Sequence, residues 1–275
     1  MSTSDSTSKS RFISLDIEKK TEELREENIA LEAPITLYLN DEKIVTLFAS
    51  PTSLEELTIG YLLDQGILRN INEIQKTVIS GNEVKVETIS SVSDRVRDAE
   101  TFKVVTSACG STEDFYRVLD QVETISVASN YSVSVEDLVS MVRDLNLRSN
   151  KSHLLAIHVS ALYQNGSPVA YSEDVGRHNS IDKVIGFAAK SGLNFSDTIL
   201  VTTGRQPADA VLKAARVGIP ISVSIRDSIH SGVFAAWRAR MTLIGGARGP
   251  KMNIYTHPWR ITYPFKSAKV KSISH

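Results

Sequence analysis

The second half of the chain alternates between short apolar runs and helical patterns, and this alternation restricts the possible folds more than any other feature. Apolar runs predict strands at residues 154–162, 169–172, 198–202, 221–225, 242–244 and 253–256. Helical patterns lie between them at residues 180–190, 208–217 and 232–240. Strands that alternate with helices at this spacing are typical of layered sheets. We therefore predict an α/β fold built on a layered mixed sheet.

The first half predicts a smaller unit of hairpins and one helix. Hairpins are expected at residues 35–48 and 77–89, and a helix at 54–63 capped by Ser53 and Glu56. The charged residues 17–28 favour a surface helix. The predicted divisions are a disordered tail over 1–16, a hairpin and helix part over about 30–100, a core over about 101–265, and a solvated tail over 266–275.

Composition excludes several classes of protein. The net charge is −1, so the chain lacks the broad positive field expected of a general nucleic-acid binder. No apolar run approaches the roughly 20 residues that cross a bilayer, so we expect no membrane partner. Because Cys109 is the only cysteine, no disulfide or multi-cysteine metal site can form, and no metal ligands are predicted. The serine-rich start lacks an apolar signal-peptide core, which favours a cytoplasmic location.

Residues 173–179 form the most distinctive motif, with the sequence Glu-Asp-Val-Gly-Arg-His-Asn. The motif follows a predicted strand and opens a predicted helix, for which Asn179 would be the N-cap and Asp182 a favourable first-turn acid. Loops at such junctions commonly carry ligand-binding groups. The alternative is a structural turn in which Arg177 pairs with Glu173 or Asp174.

Two further loops repeat the pairing of glycine with arginine after an apolar strand, at residues 202–207 and 245–251. Arginine forks and helix N-termini suit phosphate groups, and ligands gather at the carboxyl ends of strands in layered sheets. The predicted anion-binding residues are Arg177, His178, Asn179, Gly204, Arg205, Gly245, Gly246, Ala247, Arg248, Gly249, Pro250 and Lys251. The alternative is three independent surface turns.

Cys109 is the one candidate soft nucleophile. It follows a predicted strand at 102–105 and precedes a predicted helix at 113–122, a position that lowers the pKa of a thiol. The acids Glu113 and Asp114 act in the opposite direction. Since a lone cysteine is more often an inert buried residue, its sequence position alone leaves both interpretations open.

The motif at 173–179, followed by Asp182, Lys183 and Gly186, resembles the signature of the formate dehydrogenase accessory sulfurtransferase (FdhD) family. Segments at 203–205, 213–220 and 243–262 are also similar, so the resemblance extends over roughly residues 31–262. It implies a cytidine-deaminase-like core with a smaller accessory subdomain, and a homodimer. The zinc chemistry of deaminases is not implied, because it needs a pair of cysteines.

The resemblance also implies a function. Cys109 would accept sulfur from a cysteine desulfurase as a persulfide and pass it to the molybdenum bis(molybdopterin guanine dinucleotide) cofactor. That cofactor is bound cargo destined for formate dehydrogenase, and GDP-like nucleotides would mimic part of it. Thr112 stands where the family has a second cysteine, which excludes a two-thiol relay. The alternative is therefore a cofactor-binding chaperone without sulfur transfer.

Overall fold

A computed structural model of the chain describes residues 7–101, 125–151 and 156–264. Cys109 and Thr112 lie outside these ranges, as do the strand predicted at 102–105, the helix predicted at 113–122 and the tail at 266–275. The elements below therefore belong to the described ranges alone.

The chain begins with a β-hairpin, formed by β1 (Thr7–Asp16) and β2 (Thr21–Ala30) as a separate antiparallel sheet. The helix predicted at residues 17–28 is wrong, and the tail predicted over 1–16 is strand from Thr7 onward. Charged residues in β2 resemble an exposed helix in sequence, but they pair across the hairpin. Arg11 Nε donates to Glu26 Oε2 at 2.8 Å, and the turn is closed by Lys20 in a left-handed conformation.

The accessory part is a four-stranded sheet with helices. Its elements are β3 (Ala33–Leu39), β4 (Glu42–Ala49), α1 (Leu54–Asp64), β5 (Ile74–Ser80), β6 (Glu83–Thr88) and α2 (Ser93–Thr101), with strand order β4-β3-β6-β5. Both predicted hairpins are confirmed. The capping box at Ser53 is wrong, because Ser53 has a left-handed backbone and makes no side-chain cap, whereas an N-cap is normally extended.

The core contains the remaining elements. They are β7 (Val133–Ser134), α3 (Val135–Lys151), β8 (His158–Gln164), β9 (Ser167–Asp174), α4 (Arg177–Lys190), β10 (Ile199–Thr202), α5 (Ala208–Arg216), β11 (Ile221–Ser224), α6 (His230–Arg238), β12 (Thr242–Arg248), β13 (Lys251–Thr256) and β14 (Ile261–Thr262). Ser134 immediately precedes α3, and its Oγ accepts a hydrogen bond from Asp137 N at 3.0 Å, within the first turn of the helix.

Six core strands form one mixed sheet in the order β13-β12-β11-β10-β8-β9. β10, β11 and β12 are parallel, whereas β8 is antiparallel to both β9 and β10. The carboxyl ends of β9, β10, β11 and β12 therefore meet at one edge of the sheet, together with the start of β8. The predicted layered α/β fold is confirmed.

Helices cover both faces of this sheet. α3 packs Leu138, Met141 and Leu145 against one face, while α1, α4, α5 and α6 cover the other. α1 and α4 meet at two glycines, where a Cβ added to Gly60 would overlap the carbonyl of Asp182 and one added to Gly186 would overlap that of Glu56. The accessory part and the core are therefore in direct backbone contact.

A buried ion-pair cluster joins the same elements. Lys213 Nζ of α5 lies 3.0 Å from Asp64 Oδ2 of α1 and 2.7 Å from Asp182 Oδ1 of α4. Burial, followed by the charge of Asp64, raises the pKa of Asp182 well above its ordinary value. Asp182 was expected to face the exposed amides of its helix end. It instead lies inside the protein, because its position on α4 faces α1 and α5.

Candidate functional site

The loops at the carboxyl ends of the strands surround a cleft of about 480 Å³. The cleft is lined by Ser149, Ile157, His158, Arg177, Thr203, Arg205, Ile225 and Arg226. These residues come from the end of α3, the start of β8 and three separate strand-to-helix junctions. Two of the predicted arginines, Arg177 and Arg205, are thereby brought together, as the sequence predicts.

Arg177 is the first residue of α4, and Gly176 rather than the predicted Asn179 is the N-cap. The helix begins before the predicted N-cap, and the side chain of Asn179 bonds to Phe48 and Asp174 instead of capping the helix. The stem of Arg177 packs on Gly204, where an added Cβ would lie 2.9 Å from Arg177 Cβ. Arg177 Nε is buried without a hydrogen-bond partner among the described atoms. A buried guanidinium donor left unpaired is costly, so the site is suited to an acceptor from a ligand.

The loop that carries Gly204 and Arg205 is held firmly in place. Thr203 N donates to Val159 O at 2.9 Å, and Val159 N donates to Thr203 Oγ1 at 2.9 Å. Ser224 Oγ donates to Gly204 O at 2.6 Å, which ties this loop to the end of β11. Arg205 itself is exposed at the mouth of the cleft.

Arg226 and His158 also line the cleft, and sequence reasoning missed both. Arg226 follows β11 as the predicted arginines follow their strands, so the same pattern was available to identify it. His158 lies within the apolar run predicted as a strand at 154–162, but it is only half-buried, at the start of β8. Burial, and then the charges of Arg177, His178 and Arg226, lower the pKa of His158 below its ordinary value of 6.5.

His178 and Asn179 are next to Arg177 in sequence but have other contacts. His178 Nε2 lies 3.1 Å from Asp209 Oδ2 on α5. Asn179 Nδ2 donates to Phe48 O at 2.8 Å and to Asp174 Oδ1 at 3.0 Å, so it fastens the site loop to β4. Neither residue is among the described residues that line the cleft.

The third predicted loop lies behind the cleft. Gly245, Gly246 and Ala247 belong to β12, Gly249 and Pro250 form the turn, and Lys251 starts β13. Gly246 N donates to Arg226 O at 3.0 Å, and Arg248 Nε donates to Ile225 O at 2.9 Å. Ala247 is buried in the core under α3. These residues support the loop that carries Arg226, and their contact with a ligand stays a prediction.

The cleft is strongly positive in a protein whose net charge is −1. Within the described ranges, no carboxylate forms an ion pair with Arg177, Arg205 or Arg226. The nearby Asp174 pairs instead with the buried Lys183, whose Nζ lies 2.6 Å from Asp174 Oδ2 and also donates to Ser50 O. Three unneutralised guanidinium groups and a histidine can bind a phosphate group through charge-assisted hydrogen bonds.

Comparison with known proteins adds a second line of information. The FdhD/NarQ family profile matches residues 30–262. A Bacillus licheniformis protein named sulfur carrier protein FdhD is 31% identical over 242 residues, which cover 87% of this chain and 92% of the relative. A protein of the same name from Bacillus pumilus is 32% identical over 246 residues, which cover 88% and 92%.

One similar structure is a crystal structure assigned to a formate dehydrogenase accessory protein from Desulfotalea psychrophila. The TM-score is 0.75 at 25% sequence identity, and the match covers 94% of this chain and 100% of the other. The N-terminal hairpin lies outside the family match except for its last residue, Ala30, whereas the segments that line the cleft lie within it. Within the described residues, no helix is long and apolar enough to cross a membrane.

Proposed function

Because the chain belongs to the FdhD/NarQ family, we propose that it is a sulfur carrier protein required for formate dehydrogenase activity. The names of its relatives support this role, since they describe sulfur carriers and a formate dehydrogenase accessory protein. The cleft of Arg177, Arg205, Arg226 and His158 is the single observation that carries the proposal, because a carrier of this kind must hold a phosphorylated cargo.

The cargo that fits this charge is the molybdenum bis(molybdopterin guanine dinucleotide) cofactor, which carries pyrophosphate groups. A cleft of about 480 Å³ accommodates part of such a molecule and leaves the rest outside. Arg177 Nε supplies a donor that is already desolvated, and Arg205 and Arg226 add charge from the opposite loops. GDP carries the same diphosphate on a guanosine and is therefore a suitable probe.

Cys109 is the proposed sulfur acceptor, in the cytoplasm, with a cysteine desulfurase as donor. The Cys109 thiolate attacks the terminal sulfur of the desulfurase persulfide, and the desulfurase thiolate leaves. The result is a persulfide on Cys109. Transfer of its outer sulfur to the cargo, before formate dehydrogenase receives it, would break the S–S bond, release the Cys109 thiolate and take two electrons from the reduced metal of the cargo. One thiolate suffices for this exchange, so Thr112 in place of a second cysteine does not prevent it.

A cofactor-binding chaperone is the second candidate, and Thr112 is the observation in its favour. The two functions share the cleft and differ at the thiol. Incubation with a cysteine desulfurase and a sulfur source should add 32 Da to the wild-type chain, about the mass of one sulfur atom, and nothing to Cys109→Ala. If the wild type gains no sulfur while GDP still binds, the chaperone is the better description.

The cleft itself is tested by calorimetric titration with GDP. Arg205→Ala and Arg226→Ala should each weaken GDP binding about tenfold, since each loses a charge-assisted hydrogen bond. Arg143→Ala is the matched control, because Arg143 is exposed on α3 and does not line the cleft. Equal affinities for all three variants would contradict a phosphate site in the cleft.

Arg248→Ala separates direct binding from support. Arg248 holds the backbone of Ile225 at 2.9 Å and lies outside the cleft lining. Its loss should weaken GDP binding less than the loss of Arg226. A larger loss for Arg248→Ala than for Arg226→Ala would mean that the third loop contacts the nucleotide directly.

A further inference from the structure

The cleft explains only part of the motif at residues 173–179. Arg177 is the one motif residue among the described residues that line the cleft. Asp174 and Asn179, and Lys183 one turn further along α4, contact the accessory part instead. Their partners lie 124 to 133 positions earlier in the chain. The motif therefore also joins the core to the accessory part.

These contacts converge on one short segment. We call residues 48–52, which lie at the end of β4 and lead into α1, the clamp segment. Ser50 is its centre, because all three of its polar groups bond to the core. Its N–H donates to Asp174 Oδ2 at 3.2 Å, its Oγ accepts from Val175 N at 3.1 Å, and its carbonyl accepts from Lys183 Nζ at 3.0 Å. Ser50 is 6% exposed, so water competes little for these bonds.

Asp174 extends the hold of the clamp segment along the motif. Its Oδ1 accepts from Gly176 N at 2.8 Å and from Asn179 Nδ2 at 3.0 Å. Its charge is balanced by Lys183, and both side chains are almost fully buried. Hydrogen bonds to a charged group are stronger than those between neutral groups. The backbone from Asp174 to Gly176 is therefore fixed from the side of the accessory part.

Gly176 is the link between this hold and the cleft. It immediately precedes Arg177, the first residue of α4, and glycine has access to more backbone conformations than any other residue. A side chain is not tolerated here, since an added Cβ would lie 2.5 Å from Asn179 Nδ2. Without the hydrogen bonds at Val175 and Gly176, the chain could turn at the glycine and carry Arg177 with it. The clamp segment removes this freedom and fixes the start of α4.

We propose that Ser50 is a positioning residue for the cleft, and that it holds Arg177 where the guanidinium group meets a phosphate group. The accessory part is then a component of the anion site, although none of its described residues lines the cleft. This inference rests on the proposed binding of a phosphorylated cargo and adds which part of the chain sets the affinity. Because coupling between two sites is reciprocal, a ligand bound to Arg177 must stabilise the clamp contacts by the same factor.

Calorimetric titration of the full chain with GDP is the first test. Ser50→Ala removes the acceptor of the Val175 amide and should weaken GDP binding about fivefold, the effect of losing one hydrogen bond. Thr46→Ala is the matched control, because Thr46 lies on the same strand, β4, but its Oγ1 contacts Thr36 Oγ1 at 3.2 Å and not the motif. It should leave the affinity for GDP unchanged.

A double variant shows whether Ser50 acts through Arg177. In an Arg177→Ala background, Ser50→Ala should have no further effect on GDP affinity, because no arginine is left to position. A variant that only destabilised the fold would not behave in this way, since the affinity is measured on folded molecules. Asn179→Ala breaks the bond to Phe48 O and should follow the same pattern, which gives a second variant if Ser50→Ala folds poorly.

Amide hydrogen exchange followed by NMR tests the reciprocal effect. The amides of Ser50 and Val175 both donate hydrogen bonds between the clamp segment and the motif. Saturating GDP should slow their exchange by about fivefold, the same factor as in the titration, and Ser50→Ala should remove the effect at Val175. The amide of Thr36, which donates to Asn82 O within the accessory part, is the internal control and should be unaffected.

The positioning role is wrong if Ser50→Ala and Asn179→Ala bind GDP as tightly as the wild type. It is also wrong if their losses persist in full in the Arg177→Ala background, or if GDP leaves the exchange of the Ser50 and Val175 amides unchanged. In these cases the cleft still binds GDP, and only this inference fails. A wild type that does not bind GDP would overturn the phosphate site and the positioning role together.

Discussion

Gly204 determines where the side chain of Arg177 can lie. The Arg177 stem passes over the Cα of Gly204, and an added methyl group would lie 2.9 Å from Arg177 Cβ. Gly204→Ala should therefore push Arg177 out of its position and weaken GDP binding by about tenfold, with a cost in unfolding free energy below about 2 kcal/mol. Calorimetric titration and chemical denaturation measure the two effects separately.

The same variant in an Arg177→Ala background is the control for this prediction. If Gly204 acts through Arg177, Gly204→Ala should have little further effect on GDP affinity once the arginine is gone. Additive losses in the double variant would mean that Gly204 contributes to the site in another way.

His158 should make phosphate binding depend on pH. Its pKa is lowered mainly by burial and then by Arg177, His178 and Arg226, so it is neutral near pH 7. A bound phosphate offsets these positive charges and raises that pKa, so GDP affinity should increase as pH falls through and below 6.5. His158→Gln should remove this component. The wild-type to variant affinity ratio cancels the titration of GDP itself, and a ratio constant with pH would exclude His158 from the site.

For single residues, the sequence predicted a position in the cleft correctly where that position follows from the residue's place after a strand. Arg177 and Arg205 were identified because each follows an apolar strand. Arg226 follows the same rule, but no glycine stands beside it as in the three predicted loops. Asn179 and Ala247 were predicted from their neighbours in sequence, but neither lines the cleft. Asn179 donates a hydrogen bond to Phe48 O, and Ala247 packs in the core; neither contact is visible in the sequence.

Among the elements, the α1–α4 contact tolerates no side chain at its crossing point. An added Cβ at Gly186 would overlap the backbone of Glu56, which cannot move aside without separating the helices. Gly186→Ala should lower the unfolding free energy by more than about 3 kcal/mol. Thermal and urea denaturation would measure the loss.

Gly249→Ala is the matched control for the helix crossing. Gly249 has a positive φ of 59° but open space around it, so alanine there should cost only about 1 kcal/mol. Similar losses at the two glycines would mean that backbone strain, and not the helix crossing, dominates the effect.

The elements themselves were predictable wherever the apolar period was clear. Among the described residues, the core strands and helices predicted between residues 154 and 256 appear where the sequence placed them, with ends displaced by a few residues. The N-terminal hairpin was not predictable, because half of the residues of β2 are charged and its pairing partners lie up to 23 residues away in the chain. The alternation of apolar and polar side chains on the faces of the hairpin becomes visible only when the two strands are aligned in their register.

At the scale of the whole molecule, the Asp64–Lys213–Asp182 cluster joins the accessory part to the core. Lys213→Met would leave two buried carboxylates without their shared cation, which should cost about 3–5 kcal/mol near pH 7. Without the lysine, which lowers it, the pKa of Asp182 would rise further in the folded state. The lost stability should then be recovered in part as pH falls, because the protonated carboxyls no longer carry buried charge.

Lys190→Met is the comparison for this prediction. Lys190 of α4 pairs with Glu55 and Glu56 of α1, across the same two helices but at the partly exposed surface. Its loss should cost less than about 1 kcal/mol, since solvent screens such pairs. Urea unfolding of both variants at pH 5 and pH 8 would test the difference, and equal losses for the two lysines would contradict it.

Hydrogen bonds made by Ser224, Thr203 and Gly246 hold the loops of the cleft in place, and this should affect the rates at which a ligand binds and leaves. Because the cleft is already formed before a ligand binds, binding should require little additional ordering of the chain. The association rate should be high, and added salt should lower it, because opposite charges on the cleft and the cargo speed their association. The residence time of the bound cargo would then be set by its dissociation rate.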